Sequence, residues 1–467
     1  MTPRAGTRAR PSPSRRGVER APELVILGGG LCGLSAAYHS KGPWSLYEVS
    51  DRVGGLALSE RIRGHTFDCT GHWLHLADDR MRRLVSRLLG DRLIEVSRRS
   101  RIFSHGVLTR YPFQANLHGL PSEVVFECLR GFLDRQERRP ATRGGASERG
   151  RSRAGGTFED LILSRLGAGI AEHFMIPYNE KLWGVHPREL TDAWCRRFVP
   201  LPDRDQVLRG ALGAAPGELG YNVTFQYPSE GGIELLPQAL AARLPPGRLH
   251  CNAGVEAIDH SGRRLRIGDE WRSYGALVAT LPLPSLCRLL VRPPKAVVRA
   301  AERLRWTSVR YLNVGLRRSP PEDYHWVYVP ERRYPAYRVG VFTSVAPSMA
   351  PDEGGSLYVE LASRGEENRD TLVAQCLPML EAAGAIHRRG DVRFAELRRI
   401  EHAYVIFDEA WGPARQTLLD FFEAHDIYPR GRYGRWDYGS MEDAMLEGRE
   451  VAKLLATRYI HGPDAPD

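Results

Sequence analysis

The chain has 467 residues, 42% of them hydrophobic and 26% charged, with no apolar run near the ~20 residues of a membrane helix, which is the composition of a globular protein of two or three domains. Its net charge of +10 lies in two segments, six Arg against one Glu in 1–21 and seven Arg against two Glu in 135–156, so the remainder is neutral and nucleic-acid binding is not expected. Seven scattered cysteines without a C-x-x-C pair argue against a zinc site and a disulfide framework and fit a reducing, cytoplasmic setting with no metal.

Residues 1–21 read as a disordered tail. The apolar run Leu24 to Leu27 reads as a buried strand, followed by Gly28-x-Gly30-x-x-Gly33 and a helix from Leu31 to Tyr38. This is the sequence form of a dinucleotide-binding turn. Gly28 serves the turn, Gly30 the approach to a pyrophosphate and Gly33 the packing of helix on strand, while Leu31 and Cys32 open the helix whose amides face the anion. A second run ends in Glu48-Val49, where a carboxylate can accept both ribose hydroxyls. Arg52-Val-Gly54-Gly55-Leu56 then forms a second turn near the cofactor, and Phe67-Asp68-Cys-Thr-Gly71-His72 follows.

Asp78 to Leu89 has helical spacing, and Arg101 to Leu108 reads as a hairpin around His105-Gly106. Pro121 to Leu133 reads as a helix, and 135–156 as a flexible insert. Thr157 to Asp160 is a capping box for a helix through Leu166, a second helix runs from Gly169 to Met175, and Pro177 to Trp183 reads as an irregular aromatic stretch. Leu235 to Leu244 is helical, and His250 to Ile258, Arg264 to Ile267 and Ala276 to Pro282 are strands. Alternating runs between Tyr311 and Leu361 suggest an antiparallel sheet. Trp436 and Tyr438 alternate as on a strand and would share one face. A Gly431-Arg432 turn and a helix from Met441 to Tyr459, entered through Ser440, supply a second set of amide donors and a cation. Two anion cradles far apart in sequence favour a tightly held FAD.

The expected fold is therefore α/β: a Rossmann-like FAD-binding domain in three parts (22–110, 201–290, 401–467), a mainly helical insertion domain (111–200) and an antiparallel-sheet substrate domain (291–400).

In this order the motifs resemble the FAD-binding fold shared by amine oxidases, protoporphyrinogen oxidase and UDP-galactopyranose mutase, with the Val255 strand and Thr280-x-Pro282 among the shared pieces. Within that superfamily the chain is more similar to the mutase family. Phe67-Asp68-x-x-Gly71-His72 is similar to the segment that places a histidine by the flavin, with Thr70 where the family has a small residue. Tyr111-Pro-Phe-Gln-x-Asn116 resembles its YPFQ-N element. Phe174-x-x-Pro177-Tyr178-Asn-x-Lys181-x-Trp183 is similar to the stretch that stacks on uracil, and Tyr337-Arg338 to the strand whose arginine clamps the diphosphate, with Arg197 (or Arg196) as a second clamp. Gly431-Arg432 through Tyr438 to Ser440-Met441 resembles the stretch over flavin and diphosphate, with Ser440 where the family has Asp.

The resemblance implies FAD as cofactor, admits NAD(P)H as external reductant, and implies a nucleotide-sugar substrate. The reaction it implies is the ring contraction of a UDP-hexopyranose through a reduced-flavin N5 adduct, as used in cell-surface polysaccharide biosynthesis. His72, Arg338 and Tyr438 would be the catalytic group; Phe174, Tyr178, Trp183, Arg197 and Tyr337 would bind substrate. The alternative is an oxidoreductase of the same fold that passes a substrate hydride to the flavin.

Overall fold

The computed structural model describes residues 24–137, 156–214, 219–220, 223–362 and 365–461. The proposed tail 1–21 and nearly all of the insert 135–156 lie outside these residues.

Leu24–Leu27 forms the middle of a parallel five-stranded sheet, in the order Ile427–Pro429, Ala276–Ala279, Leu24–Leu27, Trp44–Tyr47, Leu249–His250. A strand buried on both faces reads as a continuous apolar run, which is why these segments lack alternation. The helices Leu31–His39 and Met441–His461 pack on it side by side, joined by Ser35 Oγ donating to Met445 O at 2.6 Å.

A seven-stranded sheet holds Val392–Val405, Trp306–Leu316, Gly355–Leu361, Ala336–Val341, Trp326–Tyr328, Ser100–Ser104 and Val107–Arg110 in that order. All its pairs are antiparallel except Trp326–Tyr328 with Ser100–Ser104. The hairpin at His105-Gly106 forms as expected, but it joins this sheet and not the nucleotide-binding part of the chain. Hairpin signals are local, and they do not say which sheet edge will accept the strands.

The helical layer contains Ser122–Glu137 and Phe158–Ile170, the latter capped by reciprocal Thr157 and Asp160 bonds and kinked at Gly167 (φ 80°). A π-helical turn, Ala171–Met175, leads into a further helix, Ile176–Trp183, so the stretch read as irregular is helical. Pro177 stands in that helix's first turn, where a missing N–H costs little. The run expected from His250 to Ile258 splits, its second half Val255–Asp259 joining a separate three-stranded sheet. No helix among the described residues is long and apolar enough to cross a membrane.

Asp68 ties the layers together. Its carboxylate accepts from Ser59 Oγ (2.6 Å), Tyr227 OH (2.5 Å) and Ile233 N (3.1 Å). Burial nonetheless pushes its carboxyl up to about 6 from the ordinary 3.8. A raised carboxyl adds stability that is complete below about pH 4 and lost as the pH rises through about 6, in all about 3 kcal/mol. Urea midpoints at pH 5 and pH 7 should therefore show wild type gaining on Asp68→Asn at the lower pH; an equal difference at both would contradict this.

Candidate active site

A cavity of about 590 Å³ lies between the parallel sheet, the seven-stranded sheet and the helical layer. Its floor is the first glycine turn. Gly28 has φ 98°, and a Cβ there would strike Thr280 Oγ1, whose hydroxyl donates to Leu27 O at 2.9 Å. A Cβ on Gly33 would strike Gly28 O, so helix and strand meet backbone to backbone. The second turn lies against the first: Gly54 N donates to Gly29 O at 2.9 Å, and Gly30 faces Gly55. Glu48 accepts from Gly29 N (2.6 Å) and Ser50 N (2.9 Å) while its carboxylate lines the cavity. Each carboxylate oxygen keeps a lone pair for a further donor such as a ribose hydroxyl.

The C-terminal segment closes the same space. Gly431 packs on Cys32, and its N–H is taken by Glu447 at 2.7 Å. Arg432 donates to Ala403 O (2.7 Å) and Gly439 O (3.3 Å), lies 4.5 Å from the Tyr438 ring centre, and keeps a buried Nε without a partner. Ser440 Oγ accepts from Asp443 N at 3.1 Å, so it caps the last helix at the cavity wall, with Met441 beside it. Tyr438 reaches the cavity, but not from a strand. Trp436 has φ 52° and is wholly buried, while Tyr438 turns the other way.

Thr70, at φ 66°, turns the chain so that Gly71 and His72 face the cavity. His72 is buried; burial, reinforced by Arg432 and Arg338 and opposed by the Thr70 and Cys69 backbone, pulls the imidazole down to about 4, so it is neutral at pH 7.

Opposite stand Phe174 and Tyr178, stacked at 5.4 Å and 4°, with Phe113 stacked on Phe174 at 5.1 Å and 9°. Arg338 faces the cavity and is held by Glu360 through two bonds, Nε to Oε2 at 2.7 Å and Nη2 to Oε1 at 2.6 Å. Glu360 is 1% exposed and directly cross-strand from Arg338. Arg338 Nη1 has no partner among the described residues.

Several expected contacts are not in the cavity wall. Tyr337 is adjacent to Arg338 on a strand, so it points to the other face and is wholly buried there. Trp183 is 1% exposed in the core: on a helix that turns Tyr178 and Leu182 to the cavity, it falls on a different side, donating to Asn179 Oδ1 at 3.2 Å. Arg52 binds Glu234 at 3.0 Å and Ser59 O at 3.1 Å and does not line the cavity. Gly33 lies behind the turn, Val49 is 69% exposed, and Val255 belongs to the three-stranded sheet. The Arg196 and Arg197 side chains lie outside the described residues.

Wall residues outside the sequence motifs are Glu360, Tyr328 and Tyr404, while Gln114 and Asn179 belong to motifs that gave them no role. A glutamate inside the apolar run Ser356 to Leu361 was the available signal for Glu360, because an acid in a buried strand demands a partner. Gln114 donates to Pro200 O at 2.6 Å, and its buried Oε1 has no partner among the described residues.

Residues 31–456 match the family described as flavin containing amine oxidoreductase. The chain belongs to that family. FAD is the cofactor this implies, and the residues fit it: a side-chain-free cradle for pyrophosphate, Glu48 for ribose, and on Arg432 a buried Nε with no partner among the described residues. The structure is similar to that of reduced UDP-galactopyranose mutase, with a TM-score of 0.86, 26% identity and 94% of each chain covered. It is also similar to a putative protoporphyrinogen oxidase from Exiguobacterium sp. 255-15, at TM-score 0.71 and 20% identity over 94% of this chain and 99% of the other. Protoporphyrinogen oxidase from Bos taurus is 27% identical over 72% of this chain and 75% of its own. Polyamine oxidase 1 from Oryza sativa subsp. japonica is 24% identical over 54% of this chain, which spans about half (49%) of that relative.

Two outcomes test the site. Gly33→Ala should purify without the absorbance of bound flavin, since the added methyl must part the helix from the Gly28 carbonyl. Arg338→Met leaves the buried Glu360 charge unpaired and should cost about 3–5 kcal/mol in denaturant unfolding. Adding Glu360→Gln should recover most of that loss without restoring ligand binding.

Proposed function

We propose that the protein is an FAD-dependent mutase that contracts the ring of a nucleoside-diphosphate hexopyranose, of the UDP-galactopyranose to UDP-galactofuranose type. The observation that carries this reading is that the Phe174–Tyr178 ring stack, Arg338 and the cofactor cradle line one cavity, with the Arg338 charge acting on both Tyr178 and His72. A base stacked at one end would put its diphosphate by the arginine and its sugar by the cofactor. The likeness to the mutase over nearly the whole chain supports the same reading.

The chemistry that FAD supplies when bound is nucleophilic catalysis by its reduced ring at an anomeric carbon. The chain's own residues do the rest. Arg338, already oriented by Glu360, offers Nη1 to the diphosphate and stabilises it as it leaves. Tyr178 stacks the base, and Gln114 Oε1 can accept an imide N–H such as that of uracil. His72, neutral, orients the cofactor ring and carries no charge to the sugar. Tyr328, Tyr404 and Tyr438 line the same cavity, where their rings would exclude water from the sugar. NAD(P)H would serve as the external reductant.

The oxidase names of the sequence relatives favour a second reading, an oxidoreductase taking hydride from its substrate. One experiment separates the two. Dithionite-reduced protein incubated with UDP-galactofuranose should yield UDP-galactopyranose, and oxidised protein should not. Bleaching of the oxidised flavin by a polyamine or a porphyrinogen, with no isomerisation by the reduced form, would establish the oxidoreductase instead.

A further inference from the structure

The helix Ile176–Trp183 carries Tyr178, Asn179 and Leu182 into the cavity, and it also carries one buried cation that does not reach it, Lys181. The Lys181 ammonium donates to three backbone carbonyls: Val329 O at 2.8 Å, Glu331 O at 2.9 Å and Ala336 O at 2.6 Å. Those carbonyls bracket the connection between strand Trp326–Tyr328 and strand Ala336–Val341. The first strand ends on Tyr328 and the second bears Arg338, both in the cavity wall. Tyr178 meets Tyr328 edge to face at 5.3 Å across the same gap.

We propose that Lys181 is a positioning residue: its three carbonyl bonds hold the Tyr178 wall against the Tyr328–Arg338 wall, and loss of its proton loosens both. An ammonium has three N–H donors and an amine has two, so deprotonation releases one of the three ties; Glu331 O, which also accepts from Tyr334 N at 3.2 Å, is the carbonyl that keeps a partner when its tie is lost.

Burial brings this change into reach by pulling the ammonium down to about 7, opposed by Glu331 and by the three carbonyl bonds, which favour the charged form. A further titratable group facing it is Cys376, on the helix Arg369–Ala382, whose thiol burial pushes up to about 12 and so keeps neutral. The surrounding charges are paired: Arg332 with Glu180 on the same helix (Nε to Oε2, 2.8 Å), and Arg333 with Glu331 (2.9 Å). Protonated Lys181 is the ordered form, so ligand affinity is highest below the midpoint and falls as the pH rises through it.

The choice of ligand rests on the sugar-nucleotide reading, and UDP-galactose suits it because its diphosphate diester does not titrate near neutrality. The chain has four lysines, so ε-13C-lysine labelling of the holoprotein gives few signals to assign. The Lys181 signal, identified as the one missing in Lys181→Met or the one most displaced in Glu331→Gln, should titrate near pH 7 while the others stay charged. The visible circular dichroism of the bound flavin should change with the same midpoint. UDP-galactose affinity should fall about tenfold between pH 6 and pH 8.5 in wild type, the scale of one lost buried hydrogen bond. Glu331→Gln should move all three midpoints to lower pH. A Lys181 signal flat from pH 6 to 9 would overturn the proposal, as would a titration that leaves the flavin dichroism unchanged. If UDP-galactose binds at no pH, the sugar-nucleotide reading falls, and the lysine signal and flavin dichroism still decide the role of Lys181.

Discussion

Everything in this protein is arranged around backbone that must touch backbone. Gly33 presses the first helix onto the Gly28 carbonyl, and Gly448 presses the last helix onto the Cys32 carbonyl. Gly30 and Gly55 bring the two early turns into contact. A side chain at any of these positions would separate segments that must share one floor, and at Gly448 those segments start more than four hundred residues apart. Their close approach leaves a row of amides around a space free of side chains, which is what a pyrophosphate needs.

Above that floor the chemistry is set by oriented cations. Arg338 is paired with Glu360, and Arg432 is held by two carbonyls and lies over Tyr438. Neither guanidinium can lose its proton in the working range, so the field at the cavity centre is constant. The Glu360 pairing keeps Arg338 aimed before any ligand arrives, so little rotamer entropy remains to be lost on binding. His72, placed between the two arginines, is kept neutral by burial and by their charge. A buried cavity with two fixed cations and a ring of tyrosines suits a polar, anionic ligand with a planar end.

The aromatic face shows how a helix distributes roles that the linear order hides. Phe174 and Tyr178, four residues apart, lie on one side and stack; Trp183, one residue beyond the next cavity position, turns into the core. Lys181, between them in sequence, faces the sheet that carries Arg338. One short helix thus supplies a ligand wall, a core anchor and the tie between two layers.

Sequence alone determined the nucleotide-binding half. Its signals are local: an apolar run, glycines at set intervals, an acid twenty positions on, and a capped helix at the far end, each with a meaning that does not depend on partners. The family followed from their order, and with it the cofactor. Tertiary structure decided what lies over the cofactor. Arg338 and Tyr337 are equal candidates in the chain, and only the strand's alternation and the facing Glu360 direct the arginine to the cavity. The ion pair of Arg52 with Glu234, distant in sequence, is likewise invisible to local pattern. The 100–110 hairpin was legible as a hairpin, yet the sheet it joins was not. In each case the deciding partner lies far away along the chain, and local pattern carries no information about which distant group will come to meet it.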